Sequence, residues 1–181
     1  TPDEVQSMAK SRAVVGLCPT TEANLGDGLF PAQEYLAAQG RFGVGSDSHV
    51  SVSALEELRW LEYGQRLKHE RRNRLSAGGK AEVAETLFAA TTAGGAQALG
   101  KQIGAIAVGK RADLIVLDGS QAMLAHVAPD KLLARWLFGG SDAWVKDVIV
   151  GGKWMVKDRH HAGEEAASRA YAKAMAELMA A

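Results

Sequence analysis

Phe42-Gly43-Val44-Gly45-Ser46-Asp47-Ser48-His49 decides how the rest of this chain is read: a short apolar run ends abruptly in Asp-Ser-His, and a helical pattern follows. Strand, polar tip and helix is the order in which an α/β protein presents chemistry. Side chains at a strand's C-terminal end project into the mouth of the sheet or barrel. Asp47 stands where a metal-binding or proton-transferring carboxylate would stand. The competing reading is that Asp47 and its serines only turn the chain and cap the next helix.

Upstream, Ala13-Val14-Val15-Gly16-Leu17-Cys18 is a continuous apolar run of strand length, which suits a strand covered on both faces, as in a parallel sheet. Pro19 ends it. The polar stretch 20–28 reads as a loop whose glycines permit tight turns, and 31–39 reads as a helix closed by Gly40 at its C′ position. Strand, crossover and strand make a βαβ unit, so both polar tips, 20–24 and 46–49, fall at one end of the sheet. Glu22, Asn24, Ser48 and His49 thereby become candidate neighbours of Asp47.

Outside this unit, Thr1-Pro2-Asp3-Glu4 has the signature of a helix start and predicts a helix to residue 11 with Val5, Met8 and Ala9 on one face. With no initiator Met, it reads as a chain cut in mid-fold. Ser53-Ala54-Leu55-Glu56 is a capping-box pattern, continued by an apolar stripe through Leu55, Leu58, Leu61 and Tyr63 towards Leu67. The basic run Lys68-His69-Glu70-Arg71-Arg72-Asn73-Arg74 lacks interleaved aromatics and reads as a solvated helix end, its cations complementing the helix dipole. A glycine-containing linker follows over 76–80, then a helix over 82–99, weakened by Gly94-Gly95 and stopped at Gly100. Beyond that point the composition becomes β-rich. A strand is predicted over 112–118, a short helix over 129–138, a hairpin around Gly151-Gly152 and an Ala-rich helix over 164–180. Residues 1–100 and 101–181 are therefore read as two parts.

A chain of 181 residues, 47% of them hydrophobic, suffices for one sizeable domain or a domain with an appendage. Its 21 basic and 21 acidic residues balance, which argues against nucleic acid or an anionic membrane as partner. The single cysteine, Cys18, excludes an internal disulfide framework and fits a reducing cytoplasm. None of the five histidines falls in a His-x-His or His-Glu-x-x-His spacing. Gly26-Asp27-Gly28 lacks the lysine of a phosphate cradle, and Ser46 and Ser48 lie outside a nucleophile-elbow context. From residues alone the chain offers one carboxylate at a strand end with partners nearby, and an incomplete catalytic set.

Three segments, in this order, resemble the C-terminal part of an amidohydrolase-superfamily enzyme. Gly43-Val44-Gly45-Ser46-Asp47 resembles the end of the eighth barrel strand, where the superfamily keeps an aspartate metal ligand. Ala90-Thr91-Thr92-Ala93-Gly94-Gly95-Ala96-Gln97-Ala98-Leu99-Gly100 resembles the helix leaving the barrel. Val108-Gly109-Lys110-Arg111-Ala112-Asp113-Leu114-Ile115-Val116-Leu117-Asp118 is similar to the return into the small β-sandwich. The implied fold class is α/β: the last two strands and helices of a (β/α)8 TIM-type barrel plus a β-rich segment of a composite β-sandwich. Within the superfamily, Cys18-Pro19-Thr20-Thr21-Glu22-Ala23-Asn24 and Ser46-Asp47-Ser48-His49-Val50-Ser51 look most like the formimidoylglutamate deiminases of histidine degradation.

That resemblance implies hydrolysis of N-formimino-L-glutamate to N-formyl-L-glutamate and ammonia, with one divalent metal, zinc by expectation, lowering the pKa of a water to about 7. Asp47 would bind the metal and carry the proton, and Ser48, His49, Glu22 and Asn24 would stand as lesser candidates for support or substrate contact. The remaining metal ligands have no counterparts here, so the piece alone is expected to be inactive. The resemblance further implies a small formimino amino acid as substrate, no nucleic-acid or membrane partner, a cytoplasmic location and a homodimer in the complete protein. The alternatives are a related deaminase or chlorohydrolase acting on a heterocycle, and a non-catalytic α/β module.

Overall fold

The computed structural model describes residues 1–76 and 82–180; most of the predicted 76–80 linker lies outside them. Helix α1, Pro2–Ser11, opens with a capping box in which Thr1 Oγ1 accepts from the Glu4 N–H while the Glu4 carboxylate reaches back to the Thr1 amine. Val5 and Ala9 are its buried residues, and Met8 packs beside them. Strands β1, Val14–Leu17, and β2, Arg41–Val44, pair in parallel, with Val14 opposite Arg41 and Leu17 opposite Val44. The βαβ reading therefore holds, and both strand ends point the same way.

Two local expectations fail. The stretch after Pro19 is a helix, α2, Pro19–Leu25, where a loop was expected. Pro19 presets the first helical φ, the Glu22 carboxylate accepts from the otherwise unpaired Cys18 N–H at 2.7 Å, and Gly26 at φ +77° closes the far end. The glycines that suggested a loop are the stop of this helix. The second concerns α3, Ala32–Ala37, where Gln39 takes the left-handed position at φ +61° and Gly40 begins the approach to β2.

Helix α4, Ala54–His69, is capped by Ser53, whose hydroxyl accepts from the Glu56 N–H at 3.2 Å. Leu55, Leu58 and Leu61 are buried as the stripe requires, but Leu67 is exposed. At 100° per residue, Leu67 lies half a turn away from Leu58. The buried face instead runs on through Glu62 and Gln65. Glu62 accepts from Arg66 Nε and from the backbone N–H groups of Arg74 and Leu75, and Gln65 donates to Phe30 O at 2.8 Å. These bonds offset the desolvation of two polar side chains on an otherwise apolar face.

Helix α5, Val83–Ala98, packs directly on β2: a methyl added at Gly94 would stand 1.9 Å from the Phe42 carbonyl oxygen. The glycine that weakens the helix on propensity grounds is what lets helix and strand meet. Helix α6, Leu132–Gly139, contributes Trp136 and Leu137 to the core, and the Phe88 and Trp136 rings lie 5.5 Å apart. Arg59 on α4 donates two hydrogen bonds to Leu137 O and one to Gly140 O, satisfying carbonyls at the end of α6 that have no helical partner. Arg59→Ala is expected to destabilise the fold by about 2 kcal/mol, read as a lower urea midpoint at constant m-value.

Strands β3, Leu114–Leu117, β4, Val145–Val150, β5, Lys153–Lys157, and β6, His160–His161, form an antiparallel sheet in sequence order. Gly151 and Gly152 join β4 to β5 with φ of +58° and +79°, the pair of positive angles that a two-residue hairpin of the primed type requires. Helix α7, Glu164–Met179, ends the chain and has no buried residue. Among the described residues no helix is long and apolar enough to cross a membrane.

Candidate functional site

The C-terminal ends of β1 and β2 carry Cys18 and the turn from Ser46 to His49. Asp47 occupies this turn at φ +48°, a left-handed conformation that Asp tolerates better than most side chains but that still costs on the order of 1 kcal/mol. Its side chain is exposed, and among the described residues its carboxylate takes no hydrogen bond. It is no helix cap: α4 begins at Ala54 and is capped by Ser53. Asp47 is thus an exposed carboxylate at a strand tip that neither caps a helix nor takes a hydrogen bond among the described residues.

The turn is closed from two directions. The Ser46 carbonyl accepts from His49 N–H at 2.9 Å and from the Thr21 hydroxyl at 2.7 Å, and the His49 N–H also faces Thr21 Oγ1 at 3.1 Å. Thr21, on α2, thus ties the tip after β1 to the tip after β2. Its neighbour Thr20 binds elsewhere: its N–H and hydroxyl both donate to the Glu57 carboxylate of α4. Thr20, Thr21 and Glu57 are at most 3% exposed. None of the three is singled out by the sequence reading, although Glu57, four residues before Leu61, sits on the buried face of α4 where an acid needs a partner.

Among the residues that reading did single out, Glu22 spends a carboxylate oxygen on the Cys18 N–H, and Asn24 and Ser48 are exposed. The His49 Nδ1 lies 2.9 Å from Ser51 Oγ and 3.2 Å from the Ser51 N–H, and Ser51 Oγ in turn donates to Glu56, so the ring is held beside the turn by a short polar chain. Burial pushes the Cys18 thiol upward, and the carboxylates of Asp47, Glu22 and Glu57 push it further in the same direction. This thiol is therefore kept protonated, first by burial and then by the three carboxylates at the strand ends. Such a group of carboxylates attracts a cation. Glu22 and Glu57 are occupied by hydrogen bonds, which leaves Asp47 as the carboxylate of this group without one among the described residues. Among the described residues no group of three or more His, Cys, Asp or Glu side chains could hold a metal ion.

Comparison with known proteins places this geometry. The model of the amidohydrolase family matches residues 1–155. The chain belongs to this family. It is 58% identical over 178 residues, 98% of its length, to the formimidoylglutamate deiminase of Pseudomonas aeruginosa, and it spans 39% of that protein. Among solved structures, an amidohydrolase from Brucella melitensis superposes with a TM-score of 0.89 at 41% identity, covering 99% of this chain and 39% of the other. An adenosine deaminase from Xanthomonas campestris with bound zinc superposes at 0.84 with 26% identity, covering 98% and 40% respectively. The chain is thus a mixed α/β chain that matches part of larger TIM-barrel proteins, as its sequence led us to expect.

Proposed function

We propose that this amidohydrolase chain is the C-terminal portion of a metal-dependent deiminase that converts N-formimino-L-glutamate and water to N-formyl-L-glutamate and ammonia. The observation that carries the reading is the 58% identity, sustained over 98% of the chain, to a relative bearing that name. Residues 1–100 would supply the last part of the barrel and residues 101–181 a segment of the β-sandwich with its terminal helix. Asp47 would be one ligand of a single divalent metal, zinc by analogy with the zinc-bound relative, the others coming from earlier strands. Such a metal, when bound, makes a water acidic enough to ionise near neutral pH.

In that setting Asp47 accepts the proton of the attacking water and delivers it to the nitrogen that departs as ammonia. One carboxylate serves both steps because its turn keeps it beside the reacting carbon. Thr21 and the Ser51–His49 contact hold that turn, and His49 lies close enough to contribute to the substrate's surroundings. A small-molecule substrate, a cytoplasmic location and a homodimeric complete protein complete the proposal. The 181-residue piece by itself would be inactive, for want of metal ligands.

Ammonia release by the zinc-loaded complete protein tests the substrate. Formiminoglutamate is expected to exceed guanine and cytosine by at least about 10²-fold in kcat/KM, since a site built to bind a dicarboxylate leaves its polar groups unpaired against a neutral ring. Equal or faster release from a heterocycle would replace this reading with that of a heterocyclic deaminase.

A further inference from the structure

Building on the deiminase reading, we infer that Thr21 is the residue that positions Asp47, by locking the turn on which Asp47 stands. Asp47 has no hydrogen bond of its own among the described residues, so what the structure fixes of it is the place of its Cα and the direction of its Cα–Cβ bond, both set by the backbone of that turn. Thr21 Oγ1 meets that backbone at both ends, donating to Ser46 O at 2.7 Å and facing the His49 N–H at 3.1 Å, and Asp47 and Ser48 lie between these two groups. The hydroxyl spends its one hydrogen and one of its lone pairs on the turn. Thr21 is 3% exposed, so water does not readily replace it in either bond.

The neighbouring residue supplies a built-in comparison. Thr20 is equally buried at 3%, carries the same hydroxyl and sits on the same helix, yet binds Glu57 of α4 and leaves the turn untouched. If the hydroxyls served only to stabilise the fold, the two would be equivalent. If Thr21 positions Asp47, only its loss reaches the metal.

The test uses the complete protein, with zinc retention measured by chelator competition and kcat and KM measured alongside the thermal midpoint. Thr21→Val keeps the shape and removes the hydroxyl. It is expected to weaken zinc retention about 10- to 100-fold and to lower kcat similarly with KM little changed, the effect typical of a residue that orients a metal ligand. Thr21→Ser, which restores the hydroxyl, should stay within about 3-fold of wild type on both readouts, and Thr20→Val should hold zinc within about 3-fold whatever its thermal midpoint. Thr21→Ala, measured in parallel, supplies the same readout through a second side chain. The inference is overturned if Thr21→Val and Thr21→Ala hold zinc as wild type does, or if Thr20→Val loses as much zinc as Thr21→Val. Asp47→Asn in the same series separates the levels: retention of zinc and activity there removes Asp47 from the metal centre and overturns this inference with it, whereas their loss beside an unaffected Thr21→Val defeats only the role of Thr21; the deiminase reading itself stands or falls on the substrate comparison above.

Discussion

Asp47→Asn is expected to lower kcat/KM of the complete protein by about 10²-fold or more while leaving its thermal midpoint nearly unchanged. The two halves of this result have separate causes. Asn adopts positive φ at least as readily as Asp, so the turn at φ +48° accepts the replacement without added strain. The Asp47 carboxylate makes no hydrogen bond among the described residues, so its removal breaks no structural contact there. What would be lost, on the proposed function, is a negative metal ligand and a proton carrier. Losing a general base alone accounts for about 10²- to 10⁴-fold. Steady-state kinetics with a melting curve on the same preparation reads both. Activity within a few-fold of wild type would remove Asp47 from the chemistry.

Gly94→Ala is expected to act in the opposite manner, damaging stability and activity together. On helix propensity alone the change would favour α5 by about 1 kcal/mol. The added methyl, however, would stand 1.9 Å from the carbonyl oxygen of Phe42, where ordinary contact begins near 3.4 Å. The obstacle is strand backbone, which has no rotamer to move, so helix and sheet must separate by about 1.5 Å or distort. We expect a net loss of at least about 2 kcal/mol, since overpacking against a rigid neighbour outweighs the propensity gain. The same strain falls on β2, the strand that leads into the Asp47 turn. A misplacement of about 1 Å at a reacting group can cost about 10²-fold, so kcat should fall as well. Gly95→Ala is the control. A methyl there meets nothing within 4 Å, and the variant should match or slightly exceed wild-type stability. Equal melting of the Gly94 and Gly95 variants would show that the close approach is not what selects glycine.

The two variants probe features of very different legibility. Asp47 is visible in sequence because a polar tip after an apolar run is a local pattern, and the parallel pairing of β1 with β2 follows from the length of the crossover between them. The same holds for the helix caps at Thr1 and Ser53 and for the Gly151-Gly152 hairpin, where a few adjacent residues carry the whole signal. Helix α2 was also written locally, in Pro19, Glu22 and Gly26, but its glycines and polar residues fit a loop equally well until the Cys18 N–H is seen to need an acceptor.

Other features depend on partners far along the chain. Thr21 reads as one more polar residue until folding brings Ser46 and His49, more than 20 positions later, within reach of its hydroxyl. Glu57 is an acid on an apolar helix face until Thr20 arrives to pair with it, and Gly94 is a poor helix former until β2 lies against it. The amino-acid sequence by itself determined most of the elements, α2 excepted, their order and the one carboxylate at a strand tip, because propensity, periodicity and capping act within a few residues. Only the tertiary structure decided what holds that carboxylate in place, because a hydrogen bond or a steric contact between distant residues has no periodicity to betray it.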